Sequence, residues 1–315
     1  MTRYLITGGA GFIGSHLAQT LAAQGAQVRV LDNFSTGRRE NLQPVESQVE
    51  IIEGDIRDLA LVQRAMQGVD YVLHQAARVS VVESLEDPQT THAVNLSGTL
   101  NVLLEARAAG VQRVVTASSS AVYGEGAVPA REEQTLLPLS PYAVTKLAGE
   151  AYARTFTTAF GLETVALRYF NVYGPRQDPT SEYSGVIARF AEALLGATTV
   201  TIYGDGEQTR DFVFVDDVVR ANLLACRAAD APGRAVNVGT GVGRTVRELL
   251  ELMAQQAGVL PEVRFAPARP GEIRHSCCDP DQARDWIGFR AQVSLSEGLR
   301  QTVAWYREMA SGSKG

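Results

Sequence analysis

From residue 3 to about residue 170, short β-branched runs alternate with helical patterns, and that alternation admits little besides repeated βαβ units around a parallel sheet. Arg3–Thr7, Gln27–Leu31, Glu50–Glu53, Tyr71–His74, Arg113–Ser118 and Thr164–Tyr169 read as strands. Several are apolar nearly throughout, as strands covered by helices on both faces must be. Helical patterns lie between them at His16–Gln24, Leu59–Met66, Thr90–Ala109 and Tyr142–Phe160. The expected fold class is therefore α/β, a doubly wound parallel sheet. After Asn171 the texture changes, because GPRQDPTSEYSG is rich in Pro, Gly and polar residues and reads as a loop. Beyond it lie expected helices at Val186–Leu195, Asp217–Ala229 and Thr245–Ala257, and expected strands at Thr199–Tyr203, Asp211–Val215 and Ala235–Val238. This predicts a first domain, residues 1–170, and a smaller mixed α/β lobe, residues 171–315. The two are expected to interleave, with later strands returning to the sheet edge.

Composition narrows the function classes. The 315 residues are 45% hydrophobic and 20% charged, with 29 Gly and 12 Pro, as in an ordinary folded chain. A formal charge of −6 offers no basic field to a phosphate polymer or an anionic membrane, so neither nucleic acid nor membrane is an expected partner. Three cysteines, Cys226 and the adjacent Cys277 and Cys278, make no disulfide framework and fit a reduced compartment. The glycine-containing N-terminus is unlike a secretory signal, and no run of about 18 apolar residues is present. A soluble cytoplasmic protein is expected, with no metal site.

The first strand runs directly into GGAGFIG, with Gly8, Gly11 and Gly14 at three-residue spacing and a helix beginning at about Phe12. Glycines suit this place because the turn is tight, the backbone must approach a pyrophosphate closely, and the helix N-terminus must present free N–H groups. Asp32 ends the second strand, where a carboxylate accepts both hydroxyls of a ribose. A dinucleotide site is the reading, against a plain Gly-rich turn with a capping Asp. The carboxylate favours NAD over NADP by repelling a 2′-phosphate, although Arg38 and Arg39 nearby could neutralise one. Asp55 could meet the adenine edge, or its neighbourhood, with Asp58, could simply cap a helix.

In SPYAVTK, Tyr142 and Lys146 stand four apart and project from one helix face. A phenol has a reference pKa of about 10, so one that accepts a proton near neutrality needs a nearby cation to stabilise its phenolate. Lys146 supplies one, and an oxidised nicotinamide supplies another. Such a pair also occurs in any amphipathic helix; what singles this one out is TASSSAVYG, whose Ser118, Ser119 and Ser120 end the fifth strand at the ligand-binding edge of the sheet. Ser119 is the residue expected to bond a substrate oxygen beside the phenol, with a turn or cap role as the alternative.

With GGAGFIG, LDNFSTG, EGDIRD, HQAA, NLSGT, SSSAVYG and SPYAVTK, followed by RYFNVYGPRQ, IYGDGEQTRDFVFVDD and RPGEIRHS, the chain resembles the extended short-chain dehydrogenases/reductases with a Rossmann fold. Within that family it is similar to the NAD-dependent nucleotide-sugar 4-epimerases that act on UDP-glucose or UDP-N-acetylglucosamine. The resemblance implies that Phe12, Ile13, Asp32, Asn33, Phe34, Ser35, Thr36, Gly37, Asp55, Ile56, Gln75, Ala76, Ala77, Asn95, Lys146 and Phe170 surround NAD. It implies that Asn171, Arg210, Arg269 and Glu272 hold the nucleotide diphosphate and ribose, and that Gly185, Val186 and the strand Thr201–Tyr203 wall in the uracil. Arginines suit a pyrophosphate in physical terms too, through bidentate charge-assisted bonds. The same alignment argues against sibling reactions. The 4,6-dehydratases resemble one another in carrying Asp and Glu where this chain has Ser120 and Ala121, and decarboxylases place a Glu in this segment.

The implied reaction is reversible 4-epimerisation of a UDP-hexose through a transient 4-keto sugar. Tyr142 takes the 4-hydroxyl proton, Ser119 steadies that oxygen and Lys146 holds the phenolate. UDP-glucose and UDP-galactose are the expected pair. The resemblance places Ser276 beside the sugar 2-substituent, where it would leave room for N-acetyl sugars, unless it is only a small polar loop residue. A UDP-glucuronate epimerase also fits, with Arg176 or Arg274 as carboxylate partner. A catalytically inactive dinucleotide-binding scaffold is the reading from another class. The family resemblance further implies a homodimer through the long helices at Thr90–Ala109 and Tyr142–Phe160, whose Ala-rich surfaces would equally suit packing on the sheet.

Overall fold

The computed structural model describes residues 1–178, 185–268 and 273–312. In chain order the elements are β1 (Arg3–Thr7), α1 (Phe12–Ala23), β2 (Gln27–Asp32), β3 (Val49–Glu53), α2 (Leu59–Ala65), β4 (Tyr71–His74), α3 (Val81–Glu86), α4 (Pro88–His92), α5 (Thr99–Ala108), β5 (Arg113–Ser119), α6 (Pro141–Phe160), β6 (Glu163–Tyr169) and β7 (Asn171–Tyr173). They continue with α7 (Val186–Leu195), β8 (Val200–Tyr203), β9 (Thr209–Phe214), α8 (Val215–Ala225), β10 (Arg234–Val238), β11 (Gly243–Thr245), α9 (Val246–Ala257), β12 (Val263–Ala266), α10 (Asp281–Ile287) and α11 (Leu295–Gly312).

Seven strands form one parallel sheet in the order β10-β6-β5-β4-β1-β2-β3, the doubly wound arrangement expected. Side chains alternate between its faces. Ile6, Val30, Leu73 and Val115 enter one core with Leu17, Leu21 and Val218. Their chain neighbours Leu5, Leu31, Val72 and Val114 enter the other with Val62, Leu103 and Phe156. This two-sided burial is why the strands read as continuous apolar runs. The winding reverses between β1 and β4, so their carboxyl ends, Gly8 and Gln75, flank the crevice where such sheets bind ligands.

The segment after residue 170 contributes β10 to this sheet, beside β6 with Val236 opposite Leu167. It also makes a three-stranded sheet, β11-β9-β7, and a parallel pair, β12-β8, over a separate core of Tyr173, Phe190, Ile202, Phe214, Leu249 and Met253.

Several elements depart from the sequence reading. The single helix expected at Thr90–Ala109 is α4, a π-helical stretch over Ala93–Gly98, and α5. The expected Asp217–Ala229 helix starts earlier, at Val215, and ends at Ala225. Helix α3, capped by Ser80 through the Glu83 N–H, has no counterpart among the expected elements, nor do β7, β11, β12, α10 and α11. No helix among the described residues is long and apolar enough to cross a membrane.

Candidate active site

The turn between β1 and α1 is built by absence of side chains. Gly8 takes φ +68°, and a Cβ there would lie 2.7 Å from the Ala76 amide nitrogen; at Gly14 a Cβ would lie 2.1 Å from the Gly8 carbonyl oxygen. Helix α1 starts at Phe12 with Gly11 as N-cap and no side-chain cap, so Phe12 and Ile13 open a first turn whose N–H groups the helix itself cannot satisfy. Asp32 is 7% exposed, and its two oxygens accept N–H bonds from Ala10 and Phe34, each at 2.8 Å. Burial raises its pKa against those two bonds. Gly37 closes over it, since a Cβ there would be 2.9 Å from both carboxylate oxygens. Between them the Asn33 side-chain Oδ1 accepts both the Ser35 N–H and the Ser35 hydroxyl. The residues fit a dinucleotide: a cradle that any Cβ would fill, open amides at a helix start, and a carboxylate with lone pairs left for hydroxyls. Arg38 and Arg39, which could have neutralised a 2′-phosphate, are paired with Asp178 and Glu53.

The other expected cofactor residues are distributed unevenly. Asp55 is held by Arg57 and Asn33, with Arg57 the main cause of a pKa lowered to about 2, while Asp58 caps α2. Ile56 packs beneath Gly98 of the π stretch. Gln75 spends its side-chain amide on Asn222 and Tyr169, leaving its backbone and those of Ala76 and Ala77 to the crevice. Asn95 donates to the Arg78 carbonyl and the Thr145 hydroxyl and accepts the Arg78 N–H, so it acts on the turn after β4. Phe170 is buried with Val122, Tyr123, Ala130 and Cys278.

Ser119 ends β5 and Tyr142 is the second residue of α6, whose N-cap is Ser140. The Ser119 hydroxyl accepts the Ala121 N–H at 3.1 Å and lies beside the Tyr142 phenol, whose pKa it lowers, so the cap role and the approach to the phenol coexist. Lys146 lies one helical turn on, its Nζ donating to the Ala117 carbonyl at 2.7 Å and standing 5.8 Å from the phenol ring centroid. The phenol pKa goes opposite to the expected direction. Burial raises it, and Ser119 is the opposing influence. Burial also lowers the Lys146 amine to about 8, with the Glu150 charge opposing.

The expected substrate residues gather around β9. Asn171 pairs with Phe212 across β7 and β9, Arg210 Nη1 donates to the Thr209 and Arg274 carbonyls, and the Ser276 N–H donates to Thr209. Gly185 and Val186 start α7, which packs on β8 with its Thr201 and Tyr203. Arg269 and Glu272 lie outside the described residues. Of the two arginines considered for a uronate, Arg274 pairs with Asp205, whereas Arg176 keeps a buried Nε that has no hydrogen-bond partner among the described residues.

Sequence reasoning missed Glu150 and Arg168, an ion pair beneath Ser119 and Lys146. Two signals were available: Glu150 continues the four-residue spacing of Tyr142 and Lys146, and Arg168 is a charge inside the apolar strand TVALRY. Also missed was His74, neutral and fully buried between the Thr7 and Thr99 hydroxyls.

The model of the NAD dependent epimerase/dehydratase family matches residues 4–239. A UDP-glucose 4-epimerase of Mycolicibacterium smegmatis is 43% identical over 310 residues, covering 97% of this chain and 98% of that one. Among solved structures, the UDP-glucose 4-epimerase of Thermotoga maritima with UDP-glucose superposes at TM-score 0.94 and 39% identity, covering 98% and 100% of the two chains. A UDP-N-acetylglucosamine 4-epimerase of Methanobrevibacter ruminantium, in complex with UDP-N-acetylmuramic acid, does so at 0.94 and 37%, covering 98% and 99%.

Proposed function

The chain is an enzyme of the NAD dependent epimerase/dehydratase family, and from that premise we propose that it interconverts UDP-hexoses epimeric at carbon 4, with UDP-glucose and UDP-galactose as the expected pair. The observation that carries the reading is the placement of the Tyr142 phenol beside Ser119 at the end of β5, one turn from Lys146 and with no carboxylate at Ser120 or Ala121. A lone phenol with a cation beside it can take and return one proton. It lacks the second acid/base that eliminating water from the sugar requires.

Tyr142 accepts the 4-hydroxyl proton, Ser119 holds that oxygen, and Lys146 lends positive charge to the phenolate. NAD, when bound, supplies the hydride acceptor and donor for carbon 4 and a further positive charge. That added charge matters because burial alone holds the phenol up. Gly8, Gly11, Phe12, Ile13 and Gly14 would cradle its pyrophosphate and Asp32 its ribose. Arg210 and Asn171, with Arg269 and Glu272, would grip the substrate diphosphate and ribose, and Gly185, Val186, Thr201 and Tyr203 the base. A firm grip on the nucleotide with few bonds to the hexose leaves either sugar face free to meet the same phenol. Ser276 leaves space at the 2-substituent, so N-acetylhexosamines enter the substrate range. The unpartnered Nε of Arg176 favours a second reading, a uronate whose carboxylate it would meet.

Purified protein assayed by NMR on UDP-glucose, UDP-N-acetylglucosamine and UDP-glucuronate separates these substrates. Turnover on at least one is expected, with Tyr142→Phe lowering kcat about 10²–10⁴-fold. Near-normal turnover by that variant, or net release of reduced cofactor, would overturn the assignment.

A further inference from the structure

Tyr142, Lys146 and Glu150 follow one another at four-residue steps, so α6 presents them as one column. Three consecutive residues of β5 meet that column. Ala117 takes the Lys146 ammonium on its carbonyl, Ser118 donates its hydroxyl to Glu150 Oε1, and Ser119 stands beside the Tyr142 phenol. The Glu150 carboxylate is closed from the other side by Arg168 of β6, with Nε on Oε1 at 2.9 Å and Nη2 on Oε2 at 2.8 Å. Both side chains are nearly inaccessible, 5% for Arg168 and 8% for Glu150.

A buried ion pair is weak ground for stability, since an apolar pair of the same shape often does as well. What an apolar pair cannot provide is a charge at a chosen place. We propose that Glu150 is a positioning residue for the proton-transfer pair: clamped by Arg168 and Ser118, it fixes α6 against β5 and β6 and presents its negative charge to the Lys146 ammonium.

Among the described residues, the charged and titratable groups around that ammonium are Tyr142 and Glu150 on α6, His74 on β4, and Arg168 on β6 behind Glu150. His74 is held neutral by burial, with a pKa lowered to about 3. Glu150 is thus the anion that keeps the amine protonated against desolvation. Without it, less of Lys146 would carry charge at neutral and mildly alkaline pH, and the phenolate would lose its cation.

The proposal rests on Tyr142 and Lys146 being the working pair, but the ionisation of Lys146 can be read without turnover. The sequence contains two lysines, Lys146 and Lys314, so protein labelled with ¹³C-lysine gives two ε-carbon signals, assigned with Lys314→Arg. The full chain should show Lys146 titrating near pH 8. Glu150→Gln should lower that midpoint by about one pH unit, move the alkaline limb of kcat down with it and leave KM for the UDP-sugar unchanged. Because that variant strands Arg168 and could fail to fold, the Glu150→Gln/Arg168→Met protein serves as the second test, again with a lowered midpoint. Glu150→Asp, which keeps the charge, should return it toward the wild-type value. An unmoved Lys146 midpoint in the neutral variants would overturn the proposal and reduce Glu150 to packing. A wild-type protein inactive on every UDP-sugar, with the midpoint still shifting, would instead overturn the functional reading alone.

Discussion

Gly14 shows how little freedom a single position can have. A methyl group there would meet the Gly8 carbonyl oxygen at 2.1 Å and the Gly9 Cα at 2.7 Å, and both are backbone, so no side chain can turn aside. Gly14→Ala should therefore cost about 1–3 kcal/mol and weaken NAD binding, read by urea unfolding and by calorimetric titration with NAD. Gly149, in the middle of α6, has nothing within 4 Å of its would-be Cβ. Gly149→Ala should raise stability by about 0.5–1 kcal/mol, the helix-propensity gain, so the pair separates close approach from backbone entropy. If Gly14→Ala matched Gly149→Ala in both measurements, the tight cradle would be refuted. The glycines and Asp32 were legible in the sequence because their reasons are local: a strand end, a turn and a helix start within a few residues. The direction of the Tyr142 pKa was not. Spacing names the neighbouring cation but says nothing of how far the phenol is withdrawn from water.

At the scale of elements, strands buried on both faces were the easiest to read, because their apolar runs need no partner to be recognised. The π stretch at Ala93–Gly98 escaped because its backbone remains helical and it shifts hydrogen bonding without altering composition. Its effect is to turn Asn95 toward Arg78 and Thr145, tying the loop after β4 to α6. Helix α3 was too short to show a period. It carries Val81, Val82 and Leu85 exposed, and the α5 and α6 surfaces add Leu104, Val144, Tyr152 and Phe160. Exposed apolar side chains on adjacent helices fit the homodimer implied by the family resemblance. Sedimentation should give a species of twice the 33.9 kDa chain mass, and Leu104→Glu/Tyr152→Glu should return a folded monomer. A wild-type monomer at micromolar concentration would exclude the dimer.

For the molecule as a whole, two groups set opposing pH slopes on stability. His74 is sealed between two hydroxyls, and burial lowers its pKa to about 3. From its ordinary 6.5 downward the unfolded chain binds the extra proton, so stability falls as pH falls through that window. Glu132 accepts the Asn237 N–H on Oε1 while Oε2 has no hydrogen-bond partner among the described residues, and burial raises its pKa to about 7. From its ordinary 4.5 upward the folded chain holds the extra proton, so stability falls as pH rises toward 7. Between pH 4.5 and 6.5 the two oppose, each with a slope of at most about 1.4 kcal/mol per pH unit. His16, also lowered by burial, adds to the His74 side. Below that window the Glu132 slope fades while carboxylates such as Asp55, held near 2 by Arg57, begin to lose their bonds, so acid instability should steepen. Urea midpoints at pH 4.5, 5.5 and 6.5 test the balance. Relative to wild type, Glu132→Gln should tilt stability upward with pH by up to about 2–3 kcal/mol over the window, and His74→Asn should tilt it downward. Parallel profiles for all three proteins would mean that neither group titrates differently on folding, and that the buried polar chemistry around β4 and β10 carries no pH dependence of its own.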